Sequence, residues 1–280
     1  MTYAHFAPDG PLLVFGGPYS NLEATIALLA EADRRAIPRS HVICTGDVVA
    51  YCADAEAALD VVIQSGVRVV MGNCEDSLAA RAEDCGCGFG EGTACDLMSA
   101  QWYTYASRCV RDDQRRWMGA LPRRIDVDIA GRRLAVIHGG AEKIADYVFA
   151  STSDLEKARQ LALTGADGVI AGHCGLPFTQ IIDDRLWHNS GVIGMPANDG
   201  TPRAWFSTLT PTIDGLLIEH HALAYDHTAA ARKMRERGLP EGYATALETG
   251  LWPSLDVLPG IERSATGAAL APPRTIWPSS

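Results

Sequence analysis

The chain has 280 residues, 47% of them apolar and 21% charged, with a formal net charge of −10. That length allows one large domain or two small ones with a full core. The acidic balance argues against nucleic acid or an anionic membrane as partner, because phosphate backbones call for a basic face. A phosphorylated small molecule remains compatible, since a bound cation supplies positive charge locally.

Residues 1–10 carry no basic region followed by an apolar stretch, so they do not read as a signal peptide. No apolar run approaches the ~20 residues of a membrane span. The eight cysteines are Cys44, Cys52, Cys74, Cys85, Cys87, Cys95, Cys109 and Cys174. In a large chain without an export signal they read as reduced thiols in the cytoplasm.

In chain order, Leu12–Gly16 is a short apolar run that predicts a buried strand. Asn21 is the expected N-cap of a helix over Leu22–Arg35. His41–Cys44 predicts a second strand, Ala53–Gln64 a second helix and Arg68–Met71 a third strand. This alternation implies parallel strands with crossover helices. Cys85–Thr93 is a glycine-rich, cysteine-bearing loop. Helices are expected over Ala94–Ser107 and Arg111–Gly119, and a hairpin over Arg123–Ile129 and Arg133–Ile137 around Gly131. A helix over Ser153–Leu163 precedes a strand at Gly168–Ala171. Strands at Phe178–Ile182, Leu186–His188, Ala204–Thr208 and Leu216–His221 follow. Helices over His227–Arg237 and Glu241–Thr249 complete the pattern, and the Pro, Ala and Ser content beyond Pro253 predicts a loosely ordered or surface-draped tail. One domain over residues 1–224, with a C-terminal helical extension and tail over 225–280 packed on it, accounts for the whole.

In open α/β sheets ligands gather at the carboxyl ends of strands. The expected strands end at Gly46-Asp47, Gly72-Asn73-Cys74, His138-Gly139 and Gly172-His173. Each polar residue adjoins glycine, which lets the backbone turn sharply toward a ligand. Any one of these side chains alone reads as a cap or a satisfied loop. Together, a carboxylate, an amide and two imidazoles suit one divalent transition metal such as Zn, Mn or Fe. Such an ion binds a phosphoryl oxygen and acidifies a water.

These motifs resemble the metallophosphoesterase (calcineurin-like) superfamily, especially its small bacterial YfcE-like phosphodiesterases, over roughly Leu12 to His221. The family order is D-x-H, G-D, G-N-H-D or G-N-C-D, a lone H-G, then G-H-x-H. Asn21-Leu22-Glu23-Ala24 and Asn189-Ser190-Gly191 match the flanks. The resemblance implies a four-layer α/β/β/α sandwich of two mixed β-sheets flanked by helices. It implies that Asp47, Asn73, His138 and His173 hold one metal. The other metal's ligands would stand at the first and third positions of D-x-H and at the last of G-H-x-H, which here read Gly17, Tyr19 and Gly175. The implied activity is phosphomonoester or phosphodiester hydrolysis on a small phosphorylated substrate, at an altered centre with one metal per chain.

Cys74 stands where many members carry a histidine acting on the phosphoryl or leaving group; it reads equally as that catalyst or as a small buried side chain. A further site could draw on Tyr19, Cys174, Cys85, Cys87 and His188. The plainer readings are a pocket-lining tyrosine, a cysteine facing away, two solvated loop thiols and a strand histidine. If the loop folds over the pocket, Cys74, Cys85 and Cys87 could form a thiolate site. Glu75 and Asp76 suit the dipole of the helix they open, though one of them could orient a metal ligand. Two alternatives therefore stand beside hydrolysis: a catalytically silent scaffold that keeps the fold, and a thiol-assisted soft-metal or redox role.

Overall fold

The computed structural model describes residues 4–279. In chain order its strands are β1 (Ala4–Phe6), β2 (Leu12–Phe15), β3 (Val42–Cys44), β4 (Arg68–Val69), β5 (Ile125–Ile129), β6 (Arg132–Val136), β7 (Gly168–Ala171), β8 (Pro177–Ile182), β9 (Arg185–Ser190), β10 (Ala204–Thr212), β11 (Gly215–Leu223) and β12 (Thr275–Pro278). They form two six-stranded mixed sheets, ordered β1-β5-β6-β7-β9-β8 and β12-β11-β10-β2-β3-β4. β2, β3 and β4 pair in parallel, as the strand–helix alternation predicts.

The helices are α1 (Leu22–Arg34), α2 (Ala55–Ser65), α3 (Asn73–Ala80), α4 (Ala94–Cys109), α5 (Asp112–Gly119), α6 (Asp154–Thr164), α7 (His227–Glu236), α8 (Glu241–Thr249) and α9 (Gly260–Ser264). Their starts follow from capping chemistry. Asn21 Oδ1 accepts from the Ala24 N–H at 3.1 Å, and the Thr93 and Ser153 hydroxyls do the same for α4 and α6.

β2 explains the layering. All four of its residues are buried, and successive side chains point to opposite faces. Leu12 and Val14 join Ile43, Val127, Val136 and Ile170 in a core between the sheets. Leu13 and Phe15 join Ala24, Leu28 and Leu59 under the helices on the other face. A third cluster, with Leu161, Val169 and Trp187, lies beneath α6. This is the α/β/β/α sandwich. No described helix is long and apolar enough to cross a membrane.

Two parts depart from expectation. β1 was not anticipated; its three residues take their partner from β5, far along the chain. The tail is not loosely draped: Thr275–Pro278 pairs with β11 as an edge strand, and Trp277 is buried between the sheets. Of the C-terminal helices, α7 is tied to the body by Lys233, whose Nζ reaches Glu23 and Asp54 at 2.6 Å each.

Candidate metal centre

β3, β4, β6 and β7 deliver Asp47, Asn73, His138 and His173 just past their carboxyl ends, where the two sheets meet. Tight turns make the convergence possible. Gly46 has φ +100°, and a Cβ there would lie 2.7 Å from the Gly72 nitrogen and 2.8 Å from His138 Nδ1. Asp47 and His173 hold left-handed backbone at φ 57° and 59°, a strain that persists where surrounding structure dictates it, often at functional sites.

One ligand atom each from Asp47, His138 and His173 lie within 4.8 Å of one another, all three residues buried. Hydrogen bonding assigns the facing atoms. His138 Nδ1 sits 2.6 Å from the Thr45 carbonyl oxygen. A carbonyl only accepts, so Nδ1 carries the proton and Nε2 of the neutral ring presents a lone pair. Asn73 Nδ2 donates to the Cys85 carbonyl at 2.9 Å, which turns Asn73 Oδ1 toward His138 Nε2 at 3.0 Å. His173 Nδ1 lies 3.1 Å and Asp47 Oδ2 3.3 Å from the same nitrogen. One added proton serves only part of this ring of donors; a single cation serves all four. Two oxygens and two imidazole nitrogens fit Zn, Mn or Fe.

Electrostatics agree. Burial works to raise the Asp47 carboxyl, but the charge and hydrogen bond of His138, with His173, hold it below its ordinary range. Burial works to lower His138, yet Asp47 pulls it above its ordinary value. His173 is pushed down to about 3 by burial and by His138, so it offers a neutral ring. Glu75, which by its place in the sequence suits the helix dipole or could orient a metal ligand, performs a definite task. Its carboxylate accepts from the Asp47, Val48 and Gly72 N–H groups at 2.7, 2.8 and 2.9 Å, pinning the loop that carries Asp47. Nothing in its spacing separates that role from an ordinary first-turn acid.

Two aromatic rings stand beside Gly17 and Gly175, positions where the family pattern would put ligands of a second metal. A Cβ on Gly17 would lie 2.5 Å from Tyr19 Cζ, so the Tyr19 ring occupies the room that a side chain at 17 needs. Over Gly175 stands the Trp252 ring, 3.4 Å from where a Cβ would be. Tyr19 itself is buried; burial, then the charge of Asp47, pushes its phenol well up, so it keeps its proton. Beside His173 opens a cavity, about 600 Å³ of empty space counting the part open to solvent, walled by Tyr19, Tyr51, Phe89, Tyr147, Tyr243 and Trp252 among others. The stretch from Cys85 to Cys109 reaches its rim through Phe89 and Cys95. Tyr243 and Trp252 went unseen because single aromatics in an extension carry no motif.

The cysteines need correction. Cys85 and Cys87 are neither solvated nor free: both are buried and joined in a disulfide. The loop does fold over the site, with Cys87 Sγ 3.4 Å and Cys74 Sγ 3.6 Å from Asn73 Nδ2, but a disulfide offers no thiolate. Cys74 is fully buried, its backbone N–H donates to Asp47 Oδ1 at 3.2 Å, and burial with Asp47 and Glu75 pushes its thiol well up. Cys174 Sγ is engaged by Asn189 Nδ2 at 3.2 Å. His188 lies outside the cluster, both ring nitrogens bound by the Thr179 and Ser207 hydroxyls at 2.9 and 2.7 Å, a satisfied core histidine.

Comparison with known proteins agrees with this architecture. Residues 20–210 match the family model of the calcineurin-like phosphoesterase superfamily domain. An uncharacterized protein of Methanocaldococcus jannaschii is 22% identical over 256 residues, covering 85% of this chain and 98% of its own. The crystal structure of a metallophosphoesterase from Sphaerobacter thermophilus superposes with a TM-score of 0.68 at 21% identity, covering 86% of this chain and 99% of that one. A hypothetical protein from Pyrococcus horikoshii gives 0.73 at 14% identity, covering 88% and 100%. These two likenesses show the fold, and the family match extends over most of the chain, including all four residues of the cluster. The chain belongs to the calcineurin-like phosphoesterase superfamily.

Proposed function

We propose that this protein hydrolyses phosphoesters, mono- or diesters, at a centre that takes one divalent cation, Zn, Mn or Fe, between Asp47, Asn73, His138 and His173. Membership of a family of phosphoesterases that usually depend on divalent metals supports the reaction class. The observation that carries the site is the crowd of lone pairs at His138 Nε2, with Asn73 Oδ1, His173 Nδ1 and Asp47 Oδ2 all within 3.3 Å. The ordered motifs support kinship with the YfcE-like branch.

A cation so held supplies Lewis acidity toward a phosphoryl oxygen and acidifies a water. The chain's own groups set the frame. The Thr45 carbonyl fixes the His138 tautomer and the Cys85 carbonyl fixes the Asn73 amide. Glu75 holds the Asp47 loop. The Tyr19 and Trp252 rings, standing over Gly17 and Gly175, support a single-cation centre rather than the family's pair.

Metal analysis of the purified protein tests this. One equivalent of metal is expected per chain, lost in Asp47→Ala and His138→Ala together with hydrolysis of bis(p-nitrophenyl) phosphate. A metal-free protein that turns over no generic phosphoester after Mn or Zn addition would return the fold to a scaffold role.

A further inference from the structure

Of the four residues of the proposed cation centre the cavity is lined by His173 alone, and its walls are chemically selective. No Asp, Glu, Lys or Arg lines it. It is open on one side, with about 600 Å³ of empty space, part of it shared with solvent. Six aromatic side chains surround it, and several hold one another in place. Tyr19 meets Tyr51 edge-on at 4.8 Å, Tyr51 meets Tyr243 at 4.7 Å, and Tyr147 lies 4.2 Å from the His173 ring. Polar anchors fix two of the outer rings. Trp252 Nε1 donates to the Pro196 carbonyl at 2.7 Å, and the Tyr147 hydroxyl to the Cys87 carbonyl at 3.1 Å. Tyr19 and Tyr51 both hold left-handed backbone, at φ 51° and 38°. For bulky residues that conformation is uncommon, and it marks places where structure is held against local preference.

We infer that this cavity binds a planar aromatic group carried by the phosphoester substrate, while the phosphoryl group faces the His173 side. The inference rests on the phosphoesterase reading above and adds the substrate class. Uncharged walls reject an anionic or cationic substituent, which would lose its hydration without a partner. Flat, fixed rings favour a flat guest that stacks or meets them edge to face. Because the rings are already locked, little ordering cost opposes binding. Two of them, Tyr243 and Trp252, come from the part of the chain that follows the residues matched by the family model, so the C-terminal extension contributes to the selectivity.

Two sources of such a ring exist, a simple aryl ester and a nucleotide base, and ligand pairs separate them. Binding to the Mn-loaded full chain is measured for phenylphosphonate against methylphosphonate, and for adenosine 5′-monophosphate against ribose 5-phosphate. At least one pair should show a gap of about tenfold or more, equivalent to ~1.4 kcal/mol, and the pair that shows it identifies the source. Trp252→Ala should erase the gap while leaving the ligand without a ring unchanged; if that variant does not fold, Phe89→Ala serves instead. Equal binding within both pairs overturns the aromatic site and leaves the phosphoesterase reading standing. Binding of none of the four, by protein shown to hold Mn, overturns both.

Discussion

At the residue scale the centre turns on what stands at positions 17, 19 and 175. Tyr19 does more than remove a histidine: its ring lies where a side chain on Gly17 would begin. Restoring Asp at 17 alone should therefore fail, because its Cβ meets Tyr19 at 2.5 Å. The combination Gly17→Asp, Tyr19→His and Gly175→His removes the obstruction and rebuilds the ligands that the family pattern implies. It should raise metal content from one to two per chain by elemental analysis, at a backbone cost of about 1–3 kcal/mol for each left-handed site now carrying a side chain. Content remaining at one would mean that the second subsite is closed by more than Tyr19. A second expectation concerns pH. The folded His138 is raised by Asp47, so in the metal-free protein their pairing contributes fully below the unfolded histidine value of ~6.5. That contribution is lost as pH rises through the higher folded value. The depressed Asp47 works oppositely: its contribution is present above ~3.9 and is lost as pH falls through its folded value. A metal must displace the His138 proton, so its affinity should fall about tenfold per pH unit below the folded His138 value. Glu75, pushed up to about 7, adds a second proton over part of that range, whereas His173, near 3, adds none. Titration by calorimetry at several pH values reads the slope, and a flat profile from about pH 5 to 8 would contradict this ligand assignment.

At the element scale the loop from Cys85 to Cys87 acts on the site through the Asn73 amide, which donates to the Cys85 carbonyl and reaches Cys87 Sγ. Groups that orient a ligand typically change metal affinity 10–100-fold when lost. Cys85→Ser with Cys87→Ser, which removes the disulfide, should weaken Mn binding by about tenfold and leave the far-ultraviolet circular dichroism unchanged. Unchanged affinity would show that the loop holds its shape without the bond. This loop also marks where reading residues in order stops. Asp47, Asn73, His138 and His173 were legible because each adjoins glycine at the end of an apolar run, so chemistry and geometry share a few consecutive letters. The buried disulfide was not, since C-G-C reads the same whether the loop is solvated or packed. Glu75 was half legible: its place in the first turn of α3 shows, while the three N–H groups it gathers come from two different loops.

At the scale of the whole molecule, the sandwich is closed by residues that look dispensable. Thr275–Pro278 follows a stretch rich in Pro and Ala, and its partner β11 lies more than fifty residues upstream, beyond the reach of local pattern. Its Trp277 enters the core between the sheets. The indole N–H donates to the Asp184 carbonyl at 2.9 Å, at the turn between β8 and β9 in the other sheet. Arg132, from β6 of that sheet, lies over the indole at 4.7 Å and donates to the Pro278 carbonyl at 2.9 Å. One side chain thus joins the edge of one sheet to two strands' ends in the other. Trp277→Ala leaves a cavity and an unpaired carbonyl, and should cost about 3–5 kcal/mol in urea unfolding. Because Trp277 lies in the core between the sheets, in a cluster that includes none of the four residues of the proposed centre, metal stoichiometry and affinity should not change. A surface-draped tail would behave otherwise, with a change inside about ±0.5 kcal/mol. The two outcomes differ severalfold, so a single denaturation curve for this variant decides whether the C-terminal strand is part of the core or only rests against it.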